Sequence, residues 1–160
     1  MVATFGWVEY LSNATDTATP TNLNFGSTLD ANLAPSTYPI TAGTYSYEKW
    51  IVANFSGSFT RIENIQFWKS AGAYVTGEKI AWTGQQTEYA TPTTDASTYA
   101  TAAVPTADPG TANVSIGGSL SGSLTTTGNS DFIILQTSVT VAASAGAVNQ
   151  KTFTLQYDEV

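Results

Sequence analysis

Ser46-Tyr-Glu-Lys-Trp-Ile-Val-Ala-Asn-Phe55 and, past the break at Ser56-Gly57-Ser58, Phe59-Thr-Arg-Ile-Glu-Asn-Ile-Gln-Phe-Trp68 decide the fold. In the first run Tyr47, Ile51, Ala53 and Phe55 alternate with Trp50 and Val52, the period of a β-strand. In the second the apolar phase shifts between Ile62 and the pair Ile65 and Phe67, which predicts a bulge near Glu63-Asn64. Ser70-Ala71-Gly72 ends it. The stretch from Ser46 to Trp82 holds three of the four tryptophans, Trp50, Trp68 and Trp82, and four of the five basic residues, Lys49, Arg61, Lys69 and Lys79. Buried rings remove the most apolar area from water, at about 25 cal/mol per Å2. The core is therefore expected here, with all three tryptophans inside it.

Working outward, Val2 to Leu11 reads as a strand with Phe5 and Trp7 on one face and Gly6, Val8 and Tyr10 on the other. Apolar residues on both faces imply cover on both sides, or an arm laid on a neighbour. Residues 12–45 are rich in Asn, Thr, Ala and Pro, with apolar punctuation at Leu23, Phe25, Leu29, Leu33, Tyr38 and Ile40. No period survives there, and the prolines favour extended chain. A loop of this length with regular apolar residues predicts an ordered wrap over a surface, its own or a partner's. Gly77 to Gly84 reads as a short strand with Ile80 and Trp82 inward. Asp95 is placed to cap one helical turn over Ala96 to Ala103, stopped by Pro105. Val114 and Ile116 begin a further strand continued by Leu120 and Leu124, and Thr125 to Ser130 reads as a turn. Asp131 to Val141 sets Ile133, Leu135, Thr137, Val139 and Val141 against Phe132 and Ile134. Ala142 to Ala147 turns the chain, and Thr152 to Tyr157 closes it with Phe153, Leu155 and Tyr157 alternating.

One helical turn against seven or eight strands spaced for hairpins predicts an all-β fold. The expected form is an antiparallel β-sandwich, Ig-like or jelly-roll-like, over a single domain 1–160, with 12–45 as a long extended loop or arm. At 160 residues the chain is long enough to bury such a core without staples.

Charged residues make up only 11% of the chain, and the net charge is −7. Scattered cations cannot form the basic stripe that nucleic-acid binding needs, so no nucleic acid is expected as partner. Anionic membranes are disfavoured on the same ground, and no stretch approaches the ~20 apolar residues of a spanning helix. The first residues lack a basic and an apolar region, so no signal peptide is expected. Cysteine is absent, and with it disulfides and thiolate metal sites. A surface of Thr, Ser, Ala and Asn suits an extensive neutral contact, because few ions have to be stripped of water.

Histidine is also absent, which removes the commonest general base and the commonest zinc ligand. Phosphate-binding and EF-hand spacings do not occur, and the glycines Gly117, Gly118 and Gly122 read as turn or bulge residues. Glu48, Glu63, Glu78, Glu88 and Asp131 are the carboxylates from which a glycosidase pair would come. Glu48 next to Lys49, Glu63 near Arg61 and Glu78 next to Lys79 read more simply as solvated strand charges. Asp158-Glu159 reads as a solvated tail in preference to a Ca2+ site. Asn13, Asn54 and Asn113 begin glycosylation triplets at chance frequency for so Ser- and Thr-rich a chain. No cofactor, no metal and no catalysis are expected.

Several segments together carry a family resemblance. They are Phe5-Gly-Trp-Val-Glu-Tyr10, Asn22-Leu-Asn-Phe-Gly26, Tyr38-Pro-Ile-Thr-Ala-Gly43, Ser46-Tyr-Glu-Lys49, and the run from Phe59 to Gly72. Val75-Thr-Gly-Glu78, Tyr89-Ala-Thr-Pro92 and Asn149-Gln-Lys-Thr-Phe-Thr-Leu-Gln-Tyr-Asp-Glu159 complete the set. In order and number they resemble tailed-bacteriophage virion structural proteins of the capsid-decoration type. Asn129 departs from the pattern, which has an aromatic residue there. The resemblance implies a non-enzymatic protein made in the host cytoplasm and placed on the virion's capsid surface. Its implied partners are the phage major capsid protein and copies of itself, a trimer being one arrangement. The residues expected at such an interface are Phe5, Trp7, Tyr10, Leu23, Phe25, Leu33, Tyr38, Tyr157 and Asp158. The alternatives are a tail or adaptor subunit and a carbohydrate-binding β-sandwich module with exposed tryptophans.

Overall fold

The computed structural model describes residues 2–143 and 149–160. Among them there is no helix, and all strand pairing is antiparallel. Six strands have eight or more residues: β1 (Ala3–Tyr10), β3 (Lys49–Gly57), β4 (Ile62–Ala71), β5 (Glu78–Gln86), β8 (Phe132–Val139) and β9 (Thr152–Glu159). Three are two-residue pairings: β2 (Thr17–Ala18), β6 (Ala102–Ala103) and β7 (Gly128–Asn129). The larger sheet has the order β2-β1-β3-β8-β5-β6, with β7 also pairing β3, and the smaller is β4-β9. Long strands therefore pair mostly with partners distant in sequence, not as the hairpins their spacing suggested.

Alternation on β1, β3 and β8 separates the side chains onto the faces the sequence predicts, except that β8 ends at Val139 and Val141, expected to continue it, is 84% exposed. Phe5, Trp7 and Glu9 stand opposite Phe55, Ala53 and Ile51, while Val8 and Tyr10 stand opposite Val52 and Trp50. The first face joins Ile51, Ala53, Phe55, Ile80, Trp82, Ile133 and Leu135 to Ile62, Ile65 and Phe67 of β4, with Phe153, Leu155 and Tyr157 of β9 packed against them. Phe67 stacks between Trp82 and Phe153, with ring centroids 5.7 and 5.5 Å away. The second face gathers Trp50, Val52, Phe132 and Ile134 under Tyr89, Tyr99 and Ala100. Trp50 has no exposure and meets Tyr89, Tyr99 and Phe132 edge-on at 5.2 to 5.5 Å. From Lys49 to Ala53 strand β3 is thus covered on both sides, by strands on one and by irregular chain on the other.

The bulge expected near Glu63-Asn64 is present as a register shift between Glu63 and Gln66, with Asn64 at φ 54°. Gly72, at φ +86°, ends β4 where an added Cβ would lie 2.1 Å from the Gln150 carbonyl oxygen, so only glycine fits.

Four expectations need correction. The helical turn over Ala96 to Ala103 does not form: Ser97 Oγ caps the N–H groups of Tyr99 and Ala100, but the chain then extends and Ala102–Ala103 pairs β5. Residues 114–124 are not a strand. Gly117 and Gly118 take φ of +60° and +80° and fold the chain onto Asp131, leaving isolated bridges Ile116↔Ser119 and Ile62↔Leu124. Thr125 to Ser130 contains a pairing to β3 through β7. Trp68 points away from Phe67 on β4 and is only half-buried, while Trp50 and Trp82 are in the core. Of the turn expected over Ala142 to Ala147, residues 144–147 lie outside the described residues.

These placements separate two neighbouring rings on β4. Phe67→Ala is expected to cost about 3–5 kcal/mol, because it opens a cavity between two stacked rings. Trp68→Ala, from the half-buried face, is expected to cost about 1 kcal/mol or less. Urea denaturation of both variants measures the difference, and equal losses would contradict this core.

Candidate functional site

The residues expected to meet a partner fall into distinct places. Phe5, Trp7 and Tyr157 come together in a seam between β1 and β9: Phe5 lies 5.1 Å from Trp7 and 6.2 Å from Tyr157, and Phe55 lies 4.8 Å from Tyr157. Ala3 N–H donates to Glu159 at 3.0 Å and Asn64 to Asp158 at 3.0 Å, so the closing carboxylates, exposed as expected, belong to strand β9 and not to a tail beyond it. Phe5 keeps 37% exposure. Tyr10 is on the other face of β1, edge-on to Phe132 at 4.9 Å. Leu23 and Phe25 pack against the main core, Leu33 is 2% exposed, and Tyr38 stands out at 40%. Along Ala3 to Val8 the outer edge of β1 has no strand partner among the described residues, and neither has the outer edge of β9.

Segment 12–45 is laid over this chain's own sheets, and polar side chains hold it there. Asn32, at φ 63°, accepts from the Thr21 hydroxyl and the Thr21 and Asn22 N–H groups. Asn24 donates to the Leu33 carbonyl at 3.0 Å, Ser27 N–H to Tyr38 at 3.1 Å, and Tyr47 N–H to Gly26 at 3.0 Å. Lys49 joins wrap and sheet. Its ammonium donates to Glu9 at 2.8 Å and to the Asp30 carbonyl at 2.6 Å, and both charged side chains are buried. Burial pushes the Glu9 carboxyl above its usual range, against the opposing pull of Lys49. The second carboxylate oxygen of Glu9 has no protein partner among the described residues.

Two carboxylates expected at the surface are inside. Glu48 is 1% exposed and accepts from Trp50 Nε1 at 2.9 Å and from Thr93 N–H. Glu78 pairs with Lys151, not with its neighbour Lys79. Glu63 pairs with Arg61 at an exposed site, as expected. Asp131 accepts from Ser115, Gly117 N–H and Gly118 N–H, so the glycines form a nest around a carboxylate of the same chain. Gln136, on β8, donates to the carbonyls of Ser46 and Asp95 and accepts from Ser97 N–H, fixing the loop that covers the second face. Asn113, expected only as a chance glycosylation triplet, closes the outer edge of β4 with paired bonds to Phe67 of 2.8 and 2.9 Å. No local pattern marks Gln136 or Asn113, whose partners lie 39 to 90 and 46 positions away.

A hollow of about 230 Å3 lies against Glu63, Asn64, Leu120, Ser121 and Gly122, with one carboxylate on its wall. A glycosidase needs two across a cleft. No group of three or more Asp or Glu side chains close enough to hold a metal ion occurs among the described residues. No helix of the described residues is long and apolar enough to cross a membrane. No protein-family model, curated protein or solved structure gives a match to this chain.

The buried pair makes two predictions. Lys49→Met leaves Glu9 buried without a counter-charge and is expected to cost about 3–5 kcal/mol, whereas Glu9→Leu with Lys49→Met is expected to recover the share due to the stranded charge and to keep only the loss of about 1–3 kcal/mol from the unserved Asp30 carbonyl. Chemical denaturation of both decides it, and a double variant as weak as the single would show that the ions themselves are needed. The pH dependence has the opposite sign to that of an ordinary surface ion pair. With its folded pKa raised, Glu9 takes a proton in the folded state before the unfolded one, so its contribution grows as pH falls toward about 4.5 and is lost as pH rises through the folded pKa. The stability difference between the parent and Glu9→Gln is expected to move in the parent's favour between pH 6 and about 4.5. A difference moving the other way would show a lowered pKa.

Proposed function

We propose that this chain is a non-enzymatic structural protein of a tailed-phage virion, of the capsid-decoration type. In this reading the two sheets form a β-sandwich that binds the outside of an assembled shell and bridges adjacent major capsid protein subunits, with copies of itself as neighbours. The family resemblance of the segments quoted above supports it. The structural observation that carries it is the wrap. Over residues 12–45 only Asp16 and Asp30 are charged, the backbone is fixed by side-chain hydrogen bonds, and Tyr38 stands out at 40% exposure. A fixed, neutral surface loses little conformational entropy and strips few ions of water when it docks. Many such weak contacts, repeated by symmetry, add to stable attachment.

The tail or adaptor reading shares these features and differs only in the surface met. The carbohydrate-module reading with tryptophans as sugar platform loses support, because Trp50 and Trp82 are buried and Trp68 is half-buried.

Sedimentation with empty shells of the matching major capsid protein is the test. Saturable co-sedimentation is expected, together with shells that resist heating better. Tyr38→Asp is expected to weaken it about tenfold, the effect of ~1.4 kcal/mol at one contact. Deleting the first 43 residues is not a clean alternative, since it removes β1, which pairs β3 at eight positions. Protein that stays in the supernatant at every salt concentration overturns the capsid reading.

A further inference from the structure

Four of the five basic side chains are engaged within the molecule. Lys49 pairs with Glu9, Arg61 with Glu63 and Lys151 with Glu78. Lys69 donates to the Gly72 carbonyl at 2.6 Å and lies 5.0 Å from the Tyr74 ring centroid. Lys79 has no ion pair or hydrogen-bond partner among the described residues, although the chain carries 12 carboxylate side chains.

Lys79 stands opposite Ser138 in the β5–β8 ladder, and Ala81 stands opposite Gln136. Cross-strand partners share a face, here the second face of the large sheet. Toward this end its side chains shrink from Trp50 and Ile134 to Ala81, and Tyr45, bridged to Ser138, rises beside the gap. The loop carrying Ser97, Ala100 and Thr101 forms the opposite wall. The result is a hollow of about 230 Å3 with no carboxylate among the described residues that line it.

Of the residues lining the hollow, Lys79 and Ser97 keep unspent donors, and the hydroxyls of Thr101 and Ser138 can donate or accept. Ser97 Oγ already accepts from Tyr99 and Ala100 N–H at 3.1 and 2.8 Å, so its own proton remains to be donated. The Gln136 amide is spent on the backbone, both oxygen and nitrogen. Lys79 adds three N–H donors and a positive charge. Ala81 and Ala100 line the hollow with the donors, and Tyr45, also in the lining, is 39% exposed. A complementary ligand carries a carboxylate, further acceptor oxygens and a C–H face. The space is below the ~300–1,000 Å3 of sites for drug-sized molecules and suits one sugar ring.

We infer that this hollow is a subsite for one uronic acid residue of an acidic saccharide, with the carboxylate on Lys79 and the ring's C–H face on Tyr45. The site is distinct from the tryptophans and from the neutral wrap, and it stands whether or not the chain binds a capsid.

The test is an NMR titration of isotope-labelled full-length protein with D-glucuronate, D-glucose and acetate. Glucuronate is expected to give saturable shifts at Tyr45, Lys79, Ser138 and the 97–101 loop, with glucose and acetate each about tenfold weaker or more, the scale of one charge-assisted hydrogen bond. Lys79→Gln, at an exposed side chain, is expected to lower glucuronate to the level of glucose, and Tyr45→Ser to lower it to the level of acetate. Equal binding of glucose, equal binding of acetate, shifts elsewhere, or no saturable shift each overturn the assignment.

Discussion

From Lys49 to Ala53 strand β3 has no face in water, and most of the structure follows from that constraint. Trp50, Ile51 and Ala53 have no exposure, so their strand needs cover from two directions. The β4–β9 ribbon supplies one cover with regular ladder. The other comes from residues 87–101, which contain no ladder until β6 begins at Ala102. Irregular chain over a core brings backbone N–H and C=O groups that water no longer serves, and each costs about 1–3 kcal/mol if left unpaired. Glu48 and Gln136 answer this demand. Both are buried, and both bind the covering loop, at Thr93 and at Asp95 and Ser97. They are polar because the cover is irregular.

The same constraint explains the buried ion pair. Lys49 lies at the start of β3, where the sheet gives way to the wrap, and a backbone carbonyl of the wrap, that of Asp30, turns inward there. An ammonium can serve that carbonyl and reach Glu9 on β1 at once. A hydrophobic side chain would pack as well but leave the carbonyl unserved. Burial works against both charges, so the pair specifies the position of the wrap more than it adds to stability.

What was legible in the sequence is what alternation encodes. Phe5 and Trp7 against Val8 and Tyr10, and Ile133 and Leu135 against Phe132 and Ile134, separate onto the two observed cores. The bulge at Asn64 was legible because it shifts the apolar phase by one residue. Trp68 apart, the failures share one physical origin, polar side chains whose partners are remote or non-periodic. Ser97 makes the bonds of a helix cap, yet no helix follows, because Ala102 and Ala103 find a ladder with β5. Val114 and Ile116 have strand-like spacing, but Asp131 draws Gly117 and Gly118 out of line. Glu48 beside Lys49 looks like a solvated pair only until β3 is known to be covered on both faces. Apart from Asp158, the expected contact residues were legible as aromatic or apolar. Their dispersal over a seam, a core and an outer surface depends on the pairing of β1 with β3 and β9 with β4, which local pattern does not carry.

The economy of charge ties the interior to the exterior. Few cations are present, and those at 49, 69 and 151 are drawn inward, each held by a carboxylate or a carbonyl. Each inward cation neutralises or anchors something the fold itself creates: the Asp30 carbonyl, the Gly72 turn after β4, the Glu78 carboxylate at the head of β5. The outside is consequently left to hydroxyls, amides and carboxylates, and long-range attraction toward polyanions is weak. Recognition by such a surface has to come from shape and from short-range donors, so a lone unpaired ammonium has influence beyond its single charge. Moving Lys79 to any other exposed position would leave the net charge unchanged and remove the one positive point among the described residues that line the second face's hollow.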